Sequence, residues 1–117
     1  MSDYRQIIVM RNDLNMRKGK MVAQGAHASV KVVIENITHP NIIFWLANHF
    51  TKITLSVNSE KELTDIYEIA RTAGIPCSII LDAGRTEFAG VPTLTCCALG
   101  PAKKEDLDKI TGHLRLL

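Results

Sequence analysis

Four consecutive apolar residues, Ile7–Met10, stand between Arg5 and Arg11. An unbroken apolar run of this length is typical of a strand that is covered on both faces, whereas a half-exposed strand alternates apolar and polar residues. The run therefore predicts a sheet with helices on both sides. The chain has 117 residues, and residues 1–117 are expected to form one domain, because compact domains usually contain about 100–150 residues.

Periodicity predicts the other elements, in the order strand, helix, helix, strand, helix, strand, strand, helix. This order implies an α/β fold, a single-domain three-layer α/β/α architecture with a four-stranded mixed sheet between helices. The predicted strands are Tyr4–Arg11, Lys52–Val57, Cys77–Leu81 and Thr93–Leu99. The first predicted helix runs from a cap at Asn15 to about Ile37, and a short second helix begins at Pro40. The third helix begins after a cap at Ser59, and the last runs from about Lys103 to Ile110. The long first helix is expected to pack through an apolar face made of Val22, Ala26, Ser29, Val33 and Ile37.

Composition and cysteine spacing exclude several classes of protein. No apolar stretch approaches the ~20 residues that span a bilayer, and Arg5 and Arg11 interrupt any signal-peptide core. A cytoplasmic protein without a membrane partner is therefore expected. Cys77, Cys96 and Cys97 lack metal-ligand spacing and are expected as buried thiols. No metal site and no cofactor are predicted.

The segment Arg17–Lys20 places three cations and one glycine where the first strand leads into the long helix. Free N–H groups and the positive end of the helix dipole add to these charges, as they do in phosphate sites. Gly19 leaves room for a ligand to approach the backbone. The segment therefore predicts an anion site, with a solvated basic turn as the alternative.

Four polar residues continue from this segment along one face of the helix. Lys20, Gln24, His27 and Lys31 follow one another at helical spacing. A single histidine on such a face is either a functional group or an ordinary surface residue, and the pattern leaves both interpretations of His27 open.

A second polar segment, Asp82–Glu87, follows the third predicted strand. It opens a connection to Pro92 that is longer than the usual hairpin loop of about 2–5 residues, and long ordered loops are often functional. Asp82 there could orient water or a cation, and Arg85 could bind phosphate. The alternative is a structural turn in which Asp82 is a cap and Arg85 pairs with Glu87.

Other catalytic patterns are missing. No G-x-S-x-G or dinucleotide-binding motif is present, and His27 and Ser29 diverge on a helix, so a Ser–His hydrolase is not predicted. The aromatic residues do not alternate with basic ones as an RNA-stacking surface would require. One apolar group forms either a dimerisation patch or ordinary core: Ile42, Ile43, Trp45, Leu46 and Phe50.

Four ordered segments together resemble the archaeal/eukaryotic-type (type 2) peptidyl-tRNA hydrolases. The resemblance extends from about Gln6 to Leu117 and is far more specific than any one motif. The matching segments are Asn15–Lys20, Ala23–Ser29, Asp82–Thr86 and Thr111–Leu114.

The resemblance implies a compact α/β fold, often dimeric, that hydrolyses the ester between a peptide and the 3′ ribose of tRNA without a metal ion. The implied partners are therefore tRNA and, as a homodimer, a second copy of the chain. The segment between Arg85 and Gly100 is one residue longer than the family's form, so either Thr93 or Thr95 is the site threonine, and spacing back from Gly100 favours Thr95. The implied site residues are Lys18, Lys20, Gln24, His27, Asp82, Arg85, Thr86 and this threonine.

Residue chemistry and the resemblance together divide the candidates into two groups. Asp82 is expected to orient or deprotonate a water molecule, and Lys20 to stabilise the developing negative charge. The competing interpretation is a non-catalytic RNA-binding or protein-interaction module with the same fold and basic face. The expected catalytic residues are Lys20, His27, Asp82 and Thr95, and the expected tRNA-binding residues are Arg17, Lys18, Gln24, Lys31, Arg85 and Thr86.

Overall fold

The computed structural model describes residues 3–85 and 87–117. Its sheet has the strand order β3-β4-β1-β2-β5, in which β1 and β2 are parallel and the other neighbours are antiparallel. The mixed sheet and the α/β class are therefore as predicted. The elements are β1 (Tyr4–Arg11), α1 (Lys18–Glu35), α2 (Pro40–Ala47), β2 (Lys52–Val57), α3 (Glu60–Thr72), β3 (Cys77–Asp82), β4 (Thr93–Lys103), α4 (Lys104–Thr111) and β5 (Arg115–Leu116).

The prediction of four strands is wrong, because the described sheet has five. The additional strand, β5, contains only Arg115 and Leu116 and pairs with β2, where Leu116 lies opposite Leu55. Two residues are too few to show an alternating pattern, so sequence periodicity could not indicate this strand. The element order accordingly ends in helix–strand rather than helix.

The apolar run of β1 packs on both faces of the sheet. Ile7 and Val9 belong to one core cluster, which α3 and α4 cover through residues such as Leu63 and Leu107. Ile8 and Met10 belong to a second cluster with α1, which contributes Ala28 and Val32. Successive side chains of a strand point to opposite faces, so an unbroken apolar run supplies both clusters. The result is a helix–sheet–helix arrangement.

The predicted apolar face of α1 is wrong in its phase. Val22 is 73% exposed and Ile37 is 63% exposed, although both were expected in the core. The expected cap is also wrong, because Asn15 has a φ of 53° and the N-cap is Arg17. The residues of α1 that are buried against the sheet are Gln24, Gly25, Ala28, Ser29 and Val32.

Helix α2 divides the apolar group that follows Pro40. Ile42 and Trp45 are buried, and the Trp45 indole donates a hydrogen bond of 2.8 Å to the carbonyl of Thr51. Ile43 and Leu46 remain exposed. The group is therefore partly core and partly surface, and a dimerisation patch that includes Ile42 and Trp45 is not supported.

Strand directions bring the two predicted polar segments to one end of the sheet. β3 is antiparallel to β4 and β4 is antiparallel to β1, so β1 and β3 run in the same direction. The carboxyl ends of these two strands, at Arg11 and Asp82, therefore lie at the same end of the sheet, where α1 also begins. No helix in the described part of the chain is long and apolar enough to cross a membrane.

Candidate active site

An ion pair joins the start of α1 to the end of β3. The Lys20 ammonium donates a hydrogen bond of 2.8 Å to Oδ1 of Asp82. These side chains are 17% and 15% exposed, so the pair is partly shielded from water but still reaches the surface. The helix entrance and the Asp82 segment therefore share one site, as the sequence analysis requires.

The environment of Asp82 favours its ionised form. The hydrogen bond from Lys20 is the main reason that the pKa of Asp82 lies below its ordinary value of 3.8. The backbone N–H of Gly84 and the charges of Lys20 and His27 lower this pKa further, while burial opposes them. A carboxylate with a lowered pKa is a weak base but a good hydrogen-bond acceptor. Asp82 is therefore better suited to orient a water molecule than to remove its proton.

A closed loop holds the second oxygen of Asp82. The Gly84 N–H donates a hydrogen bond of 2.8 Å to Oδ2, and the Gly84 carbonyl accepts one of 2.8 Å from Gly90. Gly84 has a φ of +79°, and a Cβ at this position would lie 2.3 Å from the Val91 carbonyl oxygen. Only glycine fits this position, so the loop fixes the orientation of the carboxylate.

Gln24 and Thr95 form a buried polar contact next to the ion pair along α1. The Gln24 amide donates a hydrogen bond of 2.8 Å to Oγ1 of Thr95, and both side chains are at most 2% exposed. The neighbouring Cys96 thiol donates to the Gln24 carbonyl at 3.3 Å, and burial raises the pKa of this thiol to about 11. Cys96 is therefore a poor nucleophile at neutral pH. Thr93, the other candidate threonine, donates to the Val91 carbonyl instead.

Cationic side chains surround the entrance to α1. Arg17 and Lys18 are exposed at the first turn, and the Arg17 side chain is 91% exposed. Arg85 is exposed on the loop that follows Asp82. Lys31 lies farther along the helix, where its ammonium donates a hydrogen bond of 3.0 Å to the Ile79 carbonyl of β3.

One of the predicted residues, His27, has a weaker structural connection to the ion pair. His27 is exposed, and its charge contributes to the lowered pKa of Asp82, but the described residues show no hydrogen bond between them. Thr86 lies outside the described residues.

Sequence reasoning missed two side chains at the site. Glu87 was weighed only as a partner of Arg85, whereas its carboxylate accepts a hydrogen bond of 3.4 Å from the Arg17 backbone N–H and lies 3.9 Å from the Arg17 guanidinium. The Phe88 ring lies under the Lys20 ammonium, 5.9 Å from its centroid. Both contacts join segments about 70 positions apart along the chain, and no spacing motif indicates such a pair.

The described residues hold no group of metal ligands, and one apolar cavity lies apart from the ion pair. Within residues 3–85 and 87–117, no three His, Cys, Asp or Glu side chains are grouped as a metal site. An apolar cavity of about 520 Å³ lies on the other flank of α1, between Met21, Val30 and Leu117. Lys52, Ser29 and Thr54 also line this cavity, but among the described residues no Asp or Glu side chain does, so the Lys20–Asp82 pair is the candidate site.

Comparisons with known proteins identify one family. A family model described as "Peptidyl-tRNA hydrolase PTH2" matches residues 4–117. A protein of Methanocaldococcus jannaschii named peptidyl-tRNA hydrolase is 51% identical over 115 residues, which cover 97% of this chain and 99% of that protein. Proteins with the same name from Methanococcus maripaludis and Methanococcus vannielii are 44% and 42% identical, also over 97% of this chain and 99% of theirs.

Proposed function

The chain belongs to the peptidyl-tRNA hydrolase PTH2 family, and we propose that it hydrolyses peptidyl-tRNA with a water molecule oriented by Asp82. The bond cleaved is the ester between the peptide and the 3′ ribose of tRNA, and the products are a free peptide and a tRNA with its 3′ hydroxyl. The observation that carries the assignment of the site is the 2.8 Å ion pair between Lys20 and Asp82. We also propose that residues 1–117 act as one domain in the cytoplasm.

The two members of the ion pair have different roles in the proposed reaction. The Asp82 carboxylate accepts a hydrogen bond from the attacking water and so aims its oxygen at the ester carbon. Water adds to that carbon, the bond to the ribose oxygen breaks, and the proton lost by the water ends on the leaving oxygen. The Lys20 ammonium has three N–H donors, so it can hold Asp82 and the developing oxyanion together. One well-placed donor to an oxyanion stabilises the transition state by about 3–4 kcal/mol.

The supporting polar residues act around this pair. Gln24, which is buried against Thr95, holds α1 to β4 at the turn of α1 that follows Lys20. Thr95 is fully buried, so its proposed catalytic contribution is to orient Gln24 beneath the site. His27 is exposed on α1, where it is proposed to contact the 3′ nucleotide.

The basic entrance of α1 is proposed to bind the acceptor end of tRNA. Arg17, Lys18 and Arg85 are exposed cations, and Lys31 extends the set along the helix. Contacts from such side chains to phosphates fix the position of a nucleic acid without reading its sequence. The family match and the names of the relatives do not favour the competing interpretation of a non-catalytic module.

A homodimer is proposed through the exposed part of α2 and the turn after it. Ile43, Leu46 and Phe50 are each more than half exposed, and together they form an apolar patch. Replacement of Leu46 with Lys should convert a dimer to a monomer, as measured by light scattering after size-exclusion chromatography. A wild-type protein that is monomeric at all tested concentrations would contradict this assignment.

The function is tested by measuring release of the blocked amino acid from N-acetylaminoacyl-tRNA, with and without EDTA. Wild-type protein should release the blocked amino acid both with and without EDTA. Asp82→Asn should lower kcat by at least about 100-fold while tRNA affinity changes little. Asp65→Asn, at an exposed carboxylate that pairs with Lys61 on α3, is the matched control and should retain full activity. Full activity of Asp82→Asn would remove Asp82 from the proposed role, and binding of tRNA without hydrolysis by wild-type protein would contradict the proposed function.

A further inference from the structure

Strand β3 is an edge strand, and within the described residues it pairs with β4 alone. The Gly100 N–H donates a hydrogen bond of 2.7 Å to the Pro76 carbonyl, and Cys77 lies opposite Leu99. In an antiparallel pair this pattern means that the N–H and C=O groups of Cys77 point away from β4. Those of Ile79 point the same way, because backbone direction repeats every second residue.

A side chain already uses this outer edge as a hydrogen-bond acceptor. The Lys31 ammonium donates a 3.0 Å hydrogen bond to the Ile79 carbonyl, which confirms that this carbonyl faces away from β4. Lys31 is exposed, so water can replace the contact when the side chain moves. A lysine at an edge strand also hinders unwanted pairing with other chains.

The outer edge leads directly into the active site. Asp82 is the last residue of β3 and holds Lys20, so the strand ends where the ester must lie. Six residues of strand give an edge about 20 Å long. A substrate peptide joined to tRNA through its carboxyl end would run from Cys77 toward Asp82, in the same direction as β3.

We propose that the outer edge of β3 binds the peptide part of peptidyl-tRNA as an added parallel strand, through the main-chain groups of Cys77 and Ile79. This inference depends on the proposed function. Peptides of different sequence share only their main chain, and an added strand is recognised mainly through main-chain hydrogen bonds. Such an edge therefore accepts peptides of any sequence, and a peptide N–H takes the place of the Lys31 ammonium at the Ile79 carbonyl.

The proposal is tested with wild-type protein and tRNA acylated with defined peptides. The value of kcat/KM should rise by about tenfold from N-acetylaminoacyl-tRNA to a tetrapeptidyl-tRNA, since two or more main-chain hydrogen bonds are added. N-methylation of one peptide nitrogen at a time should lower kcat/KM by about fivefold at alternate positions only, because a strand presents every second N–H to its neighbour. Changing the peptide side chains should have a smaller effect than methylating these nitrogens.

A pair of variants gives a second measurement. Ile79→Pro removes an N–H that points away from β4, so it leaves the hydrogen bonds between β3 and β4 in place, although it also replaces a side chain that packs on the core. It should lower the ratio of kcat/KM for the tetrapeptidyl substrate to kcat/KM for the N-acetylaminoacyl substrate. Leu116→Pro is the matched control at the opposite edge of the sheet, where the Leu117 N–H donates to Thr54 and the Leu116 N–H points away from β2. Leu116→Pro should leave the ratio as it is in the wild-type protein.

The outcomes separate this inference from the function on which it depends. If none of the substrates is hydrolysed, the proposed function fails. If all are hydrolysed but length and N-methylation have no effect, the function stands and the edge proposal is overturned. If kcat/KM depends on the peptide side chains but not on the main-chain nitrogens, the edge proposal is also overturned. That result would favour the apolar cavity beside Met21 and Val30 as the peptide-binding site.

Discussion

At the scale of single residues, the proposed chemistry depends on the contact between Lys20 and Asp82. Their 2.8 Å contact lowers the pKa of Asp82, so the carboxylate remains ionised throughout the neutral range. In the proposed reaction, an ionised, weakly basic carboxylate orients water without taking its proton. The same contact keeps the Lys20 ammonium beside the carboxylate, near which negative charge is proposed to develop.

The pH dependence of hydrolysis should report this contact. Activity requires ionised Asp82, so the acidic limb of kcat/KM should lie below pH 4 in the wild-type protein. Lys20→Met removes the main cause of the lowered pKa and leaves the opposing effect of burial, so the limb of the residual activity should move to higher pH. Lys61→Met, at an exposed ion pair on α3, should leave the limb unchanged. Identical acidic limbs for Lys20→Met and wild-type protein would contradict this account.

Glu87 places a negative charge at the entrance where tRNA phosphates are proposed to bind. Its carboxylate lies beside Arg17, so it should compete with a phosphate for that cation. Glu87→Gln should therefore strengthen tRNA binding several-fold at low ionic strength, and the gain should shrink as salt screens the charges. Glu105→Gln, which removes the same charge from exposed α4, is the control for net charge. The measurement is tRNA affinity from binding isotherms at two salt concentrations. Equal increases in affinity for Glu87→Gln and Glu105→Gln would exclude a local effect of Glu87.

At the scale of elements, the sequence predicted most boundaries but not the phase of α1. β1 and β2 have the predicted bounds, and α4 ends one residue from its prediction, because apolar runs and caps mark those elements. α1 instead packs through small and polar residues such as Gly25 and Gln24, while Val22 is exposed. Apolar residues occur on more than one side of this helix, so periodicity alone could not tell which side meets the sheet.

Part of the candidate site's geometry was predictable from the sequence. The motif segments indicated that the helix entrance and the Asp82 segment lie together, and Lys20 and Asp82 are in contact. Their roles in catalysis remain predictions. The Gly84 turn and the contact of Glu87 with Arg17 depend on how distant segments meet. No local pattern encodes such a meeting, so these residues required the structure.

Gly19 in the first turn of α1 separates helix stability from tRNA binding. A Cβ at this position would have no atom within 4 Å, so Gly19→Ala should fold without strain. The substitution should raise stability by about 0.5 kcal/mol, because alanine loses less conformational entropy than glycine in a helix. If phosphates approach the backbone here, the same methyl group should weaken tRNA binding. Thermal unfolding and tRNA binding of this variant measure both effects, and unchanged binding would argue against a close approach at Gly19.

At the scale of the whole molecule, one buried cation connects the ends of two strands and a helix. Arg11 of β1 donates a hydrogen bond of 3.0 Å to the Leu94 carbonyl of β4 and lies 3.8 Å from the Glu60 carboxylate of α3. Its guanidinium also donates two hydrogen bonds to Asp13, at 3.1 and 2.7 Å. The hydrogen bond from Arg11 is the main reason that the pKa of Asp13 lies below its ordinary value of 3.8. The candidate active site lies at this same end of the sheet.

The stability of the protein should therefore depend on the ionisation of Asp13. A carboxyl group whose pKa is lower in the folded than in the unfolded state stabilises the fold above the unfolded pKa of about 3.9, and this contribution is lost as pH falls through the folded pKa. Asp13→Asn should lower the free energy of unfolding by about 1 kcal/mol at pH 7, since the carboxylate that accepts from the Arg11 cation is replaced by a neutral amide. The difference from wild-type protein should shrink as pH falls from 5 to 3 in urea titrations, whereas Asp65→Asn on exposed α3 should show little difference at either pH. A constant difference between Asp13→Asn and wild-type protein across this range would mean that Asp13 contributes through packing rather than through its charge.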